Sequence, residues 1–170
     1  LMSKREPNPW LFALVTTLAL LLHGTVLCHA MLTPLGINYD VFNLVSFTSW
    51  LMLLLSLIFS TFRPIVPLNL LGIPVAAIGL ILGFAFSKPN QFIEQHSLGL
   101  DTHIILSLSA YAVLLMATIH AILIWFQNRE LKKKQKKRIW VNLLPSIQAM
   151  ESLLFDLIIT GFILLTIALA

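Results

Sequence analysis

The chain has 170 residues, of which 58% are hydrophobic and only 11% charged. A soluble domain carries roughly 25% charged residues, so composition excludes a soluble globular protein and points to an all-α, polytopic transmembrane helix bundle. The formal net charge of +4 comes almost wholly from one segment, 129-RELKKKQKKR-138. In so apolar a chain that run reads as an orienting loop and not as a nucleic-acid surface.

A bilayer crossing needs about 20 consecutive apolar residues, and five segments qualify in chain order: Trp10–Leu32, Val41–Phe62, Ile65–Phe86, Ile104–Phe126 and Leu153–Ala170. The first is longer than the apolar core of a signal peptide and contains His23 and His29, so it reads as a retained span. It also holds the single cysteine, Cys28, which reads as a small buried apolar group. With no CxxC and no CxxCH, the chain is neither a dithiol oxidoreductase nor itself a c-type cytochrome. An apolar start at Leu1 and an unanchored apolar finish at Ala170 read as a fragment of a single transmembrane domain, 1–170.

The second span carries Trp50 near its middle. The third carries Gly72, Ala76, Gly79 and Gly83 at spacings of four, three and four. These small residues form one helical stripe where another helix can approach closely, and Pro74 predicts a bend. Between the third and fourth spans, residues 87–103 form a loop in which Asn90–His96 reads as a short interfacial helix. After the fourth span, residues 127–152 form the basic loop, with 139–152 approaching the last span along the interface.

With the basic loop inside, residues 33–40 and 87–103 lie outside and the N-terminus inside. Of the 11 Lys and Arg residues, only Lys88 is then outside. The positive-inside rule gives N-in, C-out, with the basic loop against the anionic inner leaflet.

Five histidines carry the candidate chemistry. His103 opens the fourth span at its outer end and heads a polar strip through Ser107 and Tyr111. Interfacial solvation and metal ligation both remain open for it. His23 lies within hydrocarbon and needs a partner, either a hydroxyl of Thr16, Ser46 or Ser49, or a metal centre. His29 lies near the outer end of the first span, about 240° around the helix from His23 at 100° per residue. His120 is about 25 Å below His103 at 1.5 Å per residue and reads as reaching the inner interface. His96 reads as a solvated loop residue. No HExxH or comparable close spacing points to zinc. Isolated histidines on separate apolar helices suit haem, which asks for one or two axial nitrogens and wide apolar walls. Trp50, Ser107 and Tyr111 are candidates to line such a pocket. No nucleophile–base pair appears, so an enzyme is not expected.

The stretch HIILSLSAYAVLLMATIHAILIWFQNRELKKK (103–134), followed by LLPSIQAMESLLFDLIITGFILLTIALA (143–170), resembles the CcsA-like cytochrome c assembly superfamily. Within it the chain is similar to the YpjD/HemX-type inner-membrane proteins. The resemblance rests on a His-x-x-x-Ser-x-x-x-Tyr opening, a basic loop, Leu-Pro…Met-Glu and Gly-Phe-x-Leu-Leu-Thr. LLLHGTVLCHAML in the first span and VSFTSWLMLLL in the second extend it. It implies a bacterial inner-membrane protein that binds or handles haem during c-type cytochrome biogenesis, with haem and apocytochrome c as partners beside the lipid bilayer. It further implies that His103 is an axial ligand of haem iron, and that His23, or else His29, takes part in haem handling. The tryptophan-rich outer segment and second outer histidine of the assembly factors would follow Ala170. Asp156 stands where a basic residue or histidine is expected. An alternative is a scaffold that regulates a soluble tetrapyrrole-pathway enzyme through the basic loop without binding haem. A small-solute transporter has less support, because intramembrane charge is limited to Asp156 and, when protonated, His23.

Overall fold

The computed structural model describes residues 9–34, 36–62, 66–88, 98–132 and 144–170. The described residues form five helices and one short hairpin: α1 (Pro9–Met31), β1 (Leu32–Thr33), β2 (Gly36–Ile37), α2 (Val41–Phe62), α3 (Val66–Phe86), α4 (Leu98–Leu131) and α5 (Ile147–Leu169). Apolar windows long enough to cross a membrane occupy four of them, at Ala13–Met31, Val41–Ser60, Gly99–Leu131 and Ile147–Leu169. In α3 the described apolar run, Gly72–Phe86, is shorter, although the whole 21-residue helix extends about 31 Å. The five expected spans therefore correspond to five helices, four of which meet the length criterion. His96 and most of the basic loop lie outside the described residues, as does the expected interfacial helix at Asn90–His96.

Polarity is distributed as a bilayer demands. Thr16, His23, Asn43, Ser46, Ser56, His120 and Gln127 are buried, while Phe84, Ile81, Phe162 and Ile159 are exposed. In hydrocarbon, polar groups find partners inside the bundle and apolar side chains face lipid. Cys28 departs from expectation: it is exposed on α1, among lipid-facing neighbours such as Val26. A thiol is apolar enough to sit there.

The residues separate into two compact units. One holds α1, the hairpin, α2 and α3 beyond Leu70; the other holds α4 and α5.

In the first unit the 33–40 segment is an ordered cap, not a simple loop. Leu32 pairs with Ile37 and Thr33 with Gly36. Gly36 adopts φ 127°, a conformation that glycine tolerates best. The Asn38 amide closes the turn on the Met31 carbonyl at 2.8 Å. Asp40 then caps α2, its Oδ2 accepting from the Phe42 amide at 3.0 Å. Below the cap, the small-residue stripe of α3 meets the serines of α2. A Cβ added at Gly83 would stand 2.8 Å from Ser46 Cβ, and one at Gly79 would overlap Ser49. The stripe thus does what its spacing predicts. Leu20, Leu53 and Ala76 form the core, with Trp50 and Ile73 packed on it.

In the second unit α4 and α5 run antiparallel. Ala110, Val113, Met116 and Ala117 of α4 are buried, as are Met150, Leu153, Leu157 and Gly161 of α5. On α4 the positions 103, 110, 113, 117, 120 and 127 step by seven, three, four, three and seven, the repeat that keeps one seam against a partner helix. Gly161 lets α5 approach Leu114 and Val113; a Cβ there would lie 2.7 Å from Leu114 Cδ2. Helix α4 exceeds the expected 104–126 at both ends. Its 34 residues span about 51 Å, well beyond a hydrocarbon core of about 30 Å. Asp101 in the first turn and Arg129 in the last complement the helix dipole and support these polar extensions. Helix α5 begins at Ile147, six residues before the expected span, because Ser146 caps it by accepting from the Ala149 amide at 3.3 Å.

Candidate functional site

Each of the four described histidines has a distinct setting. His23, 4% exposed, faces α2 with its Nε2 3.0 Å from Ser46 Oγ. Ser46 is one of the three hydroxyls expected as its partner. The nitrogen at the far end of the ring is thereby occupied, and the side chain ties α1 to α2. Trp50 ties the same pair of helices. Its Nε1–H donates to the Leu20 carbonyl at 2.9 Å, its ring stacks on Phe47, and Gly24 leaves it room. The indole N–H is thus spent within the α1–α2 contact.

His29 is exposed and lines a cavity of about 370 Å³ in the first unit. The expectation that His23 and His29 lie on different helical faces agrees with one being buried and the other exposed. Asn43 and Ser46 line the same cavity. Asn43 is fully buried and its Oδ1 has no partner among the described residues. It escapes notice in the sequence because Phe42 and Leu44 flank it at the start of an apolar run. The signal was present all the same: a carboxamide inside a predicted span needs partners.

In the second unit, three α4 side chains reach backbone carbonyls on or just before α5. His103 Nδ1 lies 2.7 Å from the Ala168 oxygen, His120 Nε2 lies 3.0 Å from that of Met150, and Gln127 Nε2 donates to that of Pro145 at 2.9 Å. A carbonyl only accepts, so the ring nitrogen in each histidine pair carries the proton. For neutral His103 this leaves the lone pair on Nε2, on a ring that is exposed. An Nδ1–H held by a backbone carbonyl is the usual support of a metal-ligating histidine. It sets the tautomer, orients the ring and raises the basicity of the other nitrogen. His120 is the reverse case. Its Nε2–H is spent on Met150, and its Nδ1 is buried with no partner among the described residues. At 2% exposure it packs in the α4–α5 seam instead of reaching the inner interface, because Met150 offers a nearer acceptor than water.

Ser107 is half-buried and Tyr111 is 55% exposed, so the strip below His103 runs along the outer side of α4, not through the seam. Asp156 is half-buried. Among the described residues no group of three or more His, Cys, Asp or Glu side chains could jointly hold a metal ion. The structure therefore offers single imidazoles, of which His103 has the supported and accessible nitrogen.

The family described as Cytochrome C assembly protein matches residues 11–170. No curated protein matches, and no solved structure does.

Proposed function

The chain belongs to the cytochrome c assembly protein family, and from that premise we propose that it handles haem in c-type cytochrome biogenesis, with His103 as an axial ligand of the iron. The observation that carries the assignment is the hydrogen bond from His103 Nδ1–H to the Ala168 carbonyl. It leaves a lone pair on an exposed imidazole nitrogen whose basicity the carbonyl raises. Haem would supply the iron for that nitrogen, while lipid-facing apolar surface such as Ile105 suits an apolar macrocycle. His23 leaves the ligand set, since its Nε2 is paired with Ser46 inside the bundle.

Orientation follows from charge. With the basic loop cytoplasmic, His103 stands at the extracytoplasmic end of α4, where apocytochrome c would receive haem. The protein would then be a multi-pass protein of the bacterial inner membrane. The test is absorbance of the protein purified from haem-replete membranes. The wild type should show a Soret band that His103→Ala loses and His23→Ala keeps. Wild-type protein without haem would refute the reading.

A further inference from the structure

We propose that the cavity beside His29 is a separate binding site for a neutral, lipid-soluble molecule with a hydroxyl head, such as a long-chain phenol or alcohol. The cavity lies wholly within the first unit and measures about 370 Å³, within the roughly 300–1,000 Å³ usual for small-molecule sites. Val26, Leu80 and Phe84 are among its walls. Val26 and Phe84 are exposed on the outer faces of their helices, so a ligand can enter from the hydrocarbon. The polar lining includes His29, Asn43 and Ser46, none of which bears a fixed charge. A neutral head therefore matches better than a phosphate or an ammonium group.

Asn43 sets the polarity of that head. Its Nδ2 donates towards the Ala30 and Asn38 carbonyls at 3.5 and 3.4 Å, which fixes the orientation of the amide. Its Oδ1 is then an acceptor in a fully buried side chain with no partner among the described residues. Such an atom calls for a donor, and a hydroxyl is a neutral donor that an apolar tail can carry. Ser46 stands beside it with its oxygen shared with His23. Because the imidazole can change tautomer, Ser46 can complement the hydroxyl as donor or acceptor. Gly83 lets α3 close on Ser46 and completes the wall.

The site is independent of the His103 assignment, and the experiment keeps the two apart. The full chain in liposomes is irradiated with a diazirine-bearing alkylphenol, and labelled peptides are mapped by mass spectrometry. Labelling should concentrate at Val26–Ala30. It should be lost on adding 4-nonylphenol, but not 4-nonylanisole, which has the same tail and no donor. Ala30→Phe, which fills the cavity from α1, should lose the label, whereas His103→Ala should keep it. Equal competition by the ether, or labelling spread evenly along α1, would overturn the proposal. So would displacement by haemin, which would give the cavity to a tetrapyrrole. The ether comparison uses wild-type protein, so it stands even if Ala30→Phe misfolds.

Discussion

The two units solve the same problem, a histidine among apolar helices, in opposite ways. In the first, His23 spends Nε2 on a hydroxyl of the neighbouring helix and becomes a rung between α1 and α2. In the second, His103 spends Nδ1 on a carbonyl and keeps its outer nitrogen for a ligand. His120, one helix face away from water, repeats the first solution with a carbonyl partner. Which ring nitrogen is occupied, more than how deeply the ring is buried, separates a structural imidazole from one prepared to coordinate iron.

The comparison can be broken most severely at the helix contacts that position these rings. Gly79→Leu puts a branched side chain where even a Cβ overlaps Ser49. It should destabilise the first unit by about 1–3 kcal/mol, seen as a lowered melting temperature in detergent. Loss of the second unit's packing by that change would contradict the division into two units. His120→Ala removes the buried ring from the α4–α5 seam and leaves a cavity. A cost of about 1–2 kcal/mol is expected, with haem content unchanged once the protein is folded. Loss of haem in a folded His120→Ala protein would show that His120 is more than a rung. The smallest effect belongs to the His23–Ser46 pair. A double-mutant cycle with His23→Ala and Ser46→Ala should return a coupling of about 0.6 kcal/mol, the average for polar pairs between membrane helices. Zero coupling would remove the contrast between the histidines.

Much of this organisation was legible in the sequence, because it follows from composition and period. Long apolar runs place the helices, and the four-three-four spacing of Gly72, Ala76, Gly79 and Gly83 places a close helix contact. A histidine in hydrocarbon predicts a hydroxyl partner for His23. The extensions of α4 and α5 were hidden because an apolar threshold ends a span where hydrocarbon ends. A helix needs only caps and favourable charge, such as Ser146 and Asp101, to continue into the interface. The support of His103 was hidden for a different reason. Its partner is the backbone oxygen of Ala168, and no side-chain pattern marks a carbonyl. The same holds for His120 on Met150 and Gln127 on Pro145. His103 and His120 differ only in which nitrogen meets the oxygen, a matter of local geometry.

The central claim is tested most directly by the visible spectrum of His103→Gly protein, recorded with and without added imidazole. The account predicts that the Soret band of the wild type is lost on substitution and returns when free imidazole supplies the missing nitrogen. A His103→Gly protein that retains the full band without imidazole would contradict it.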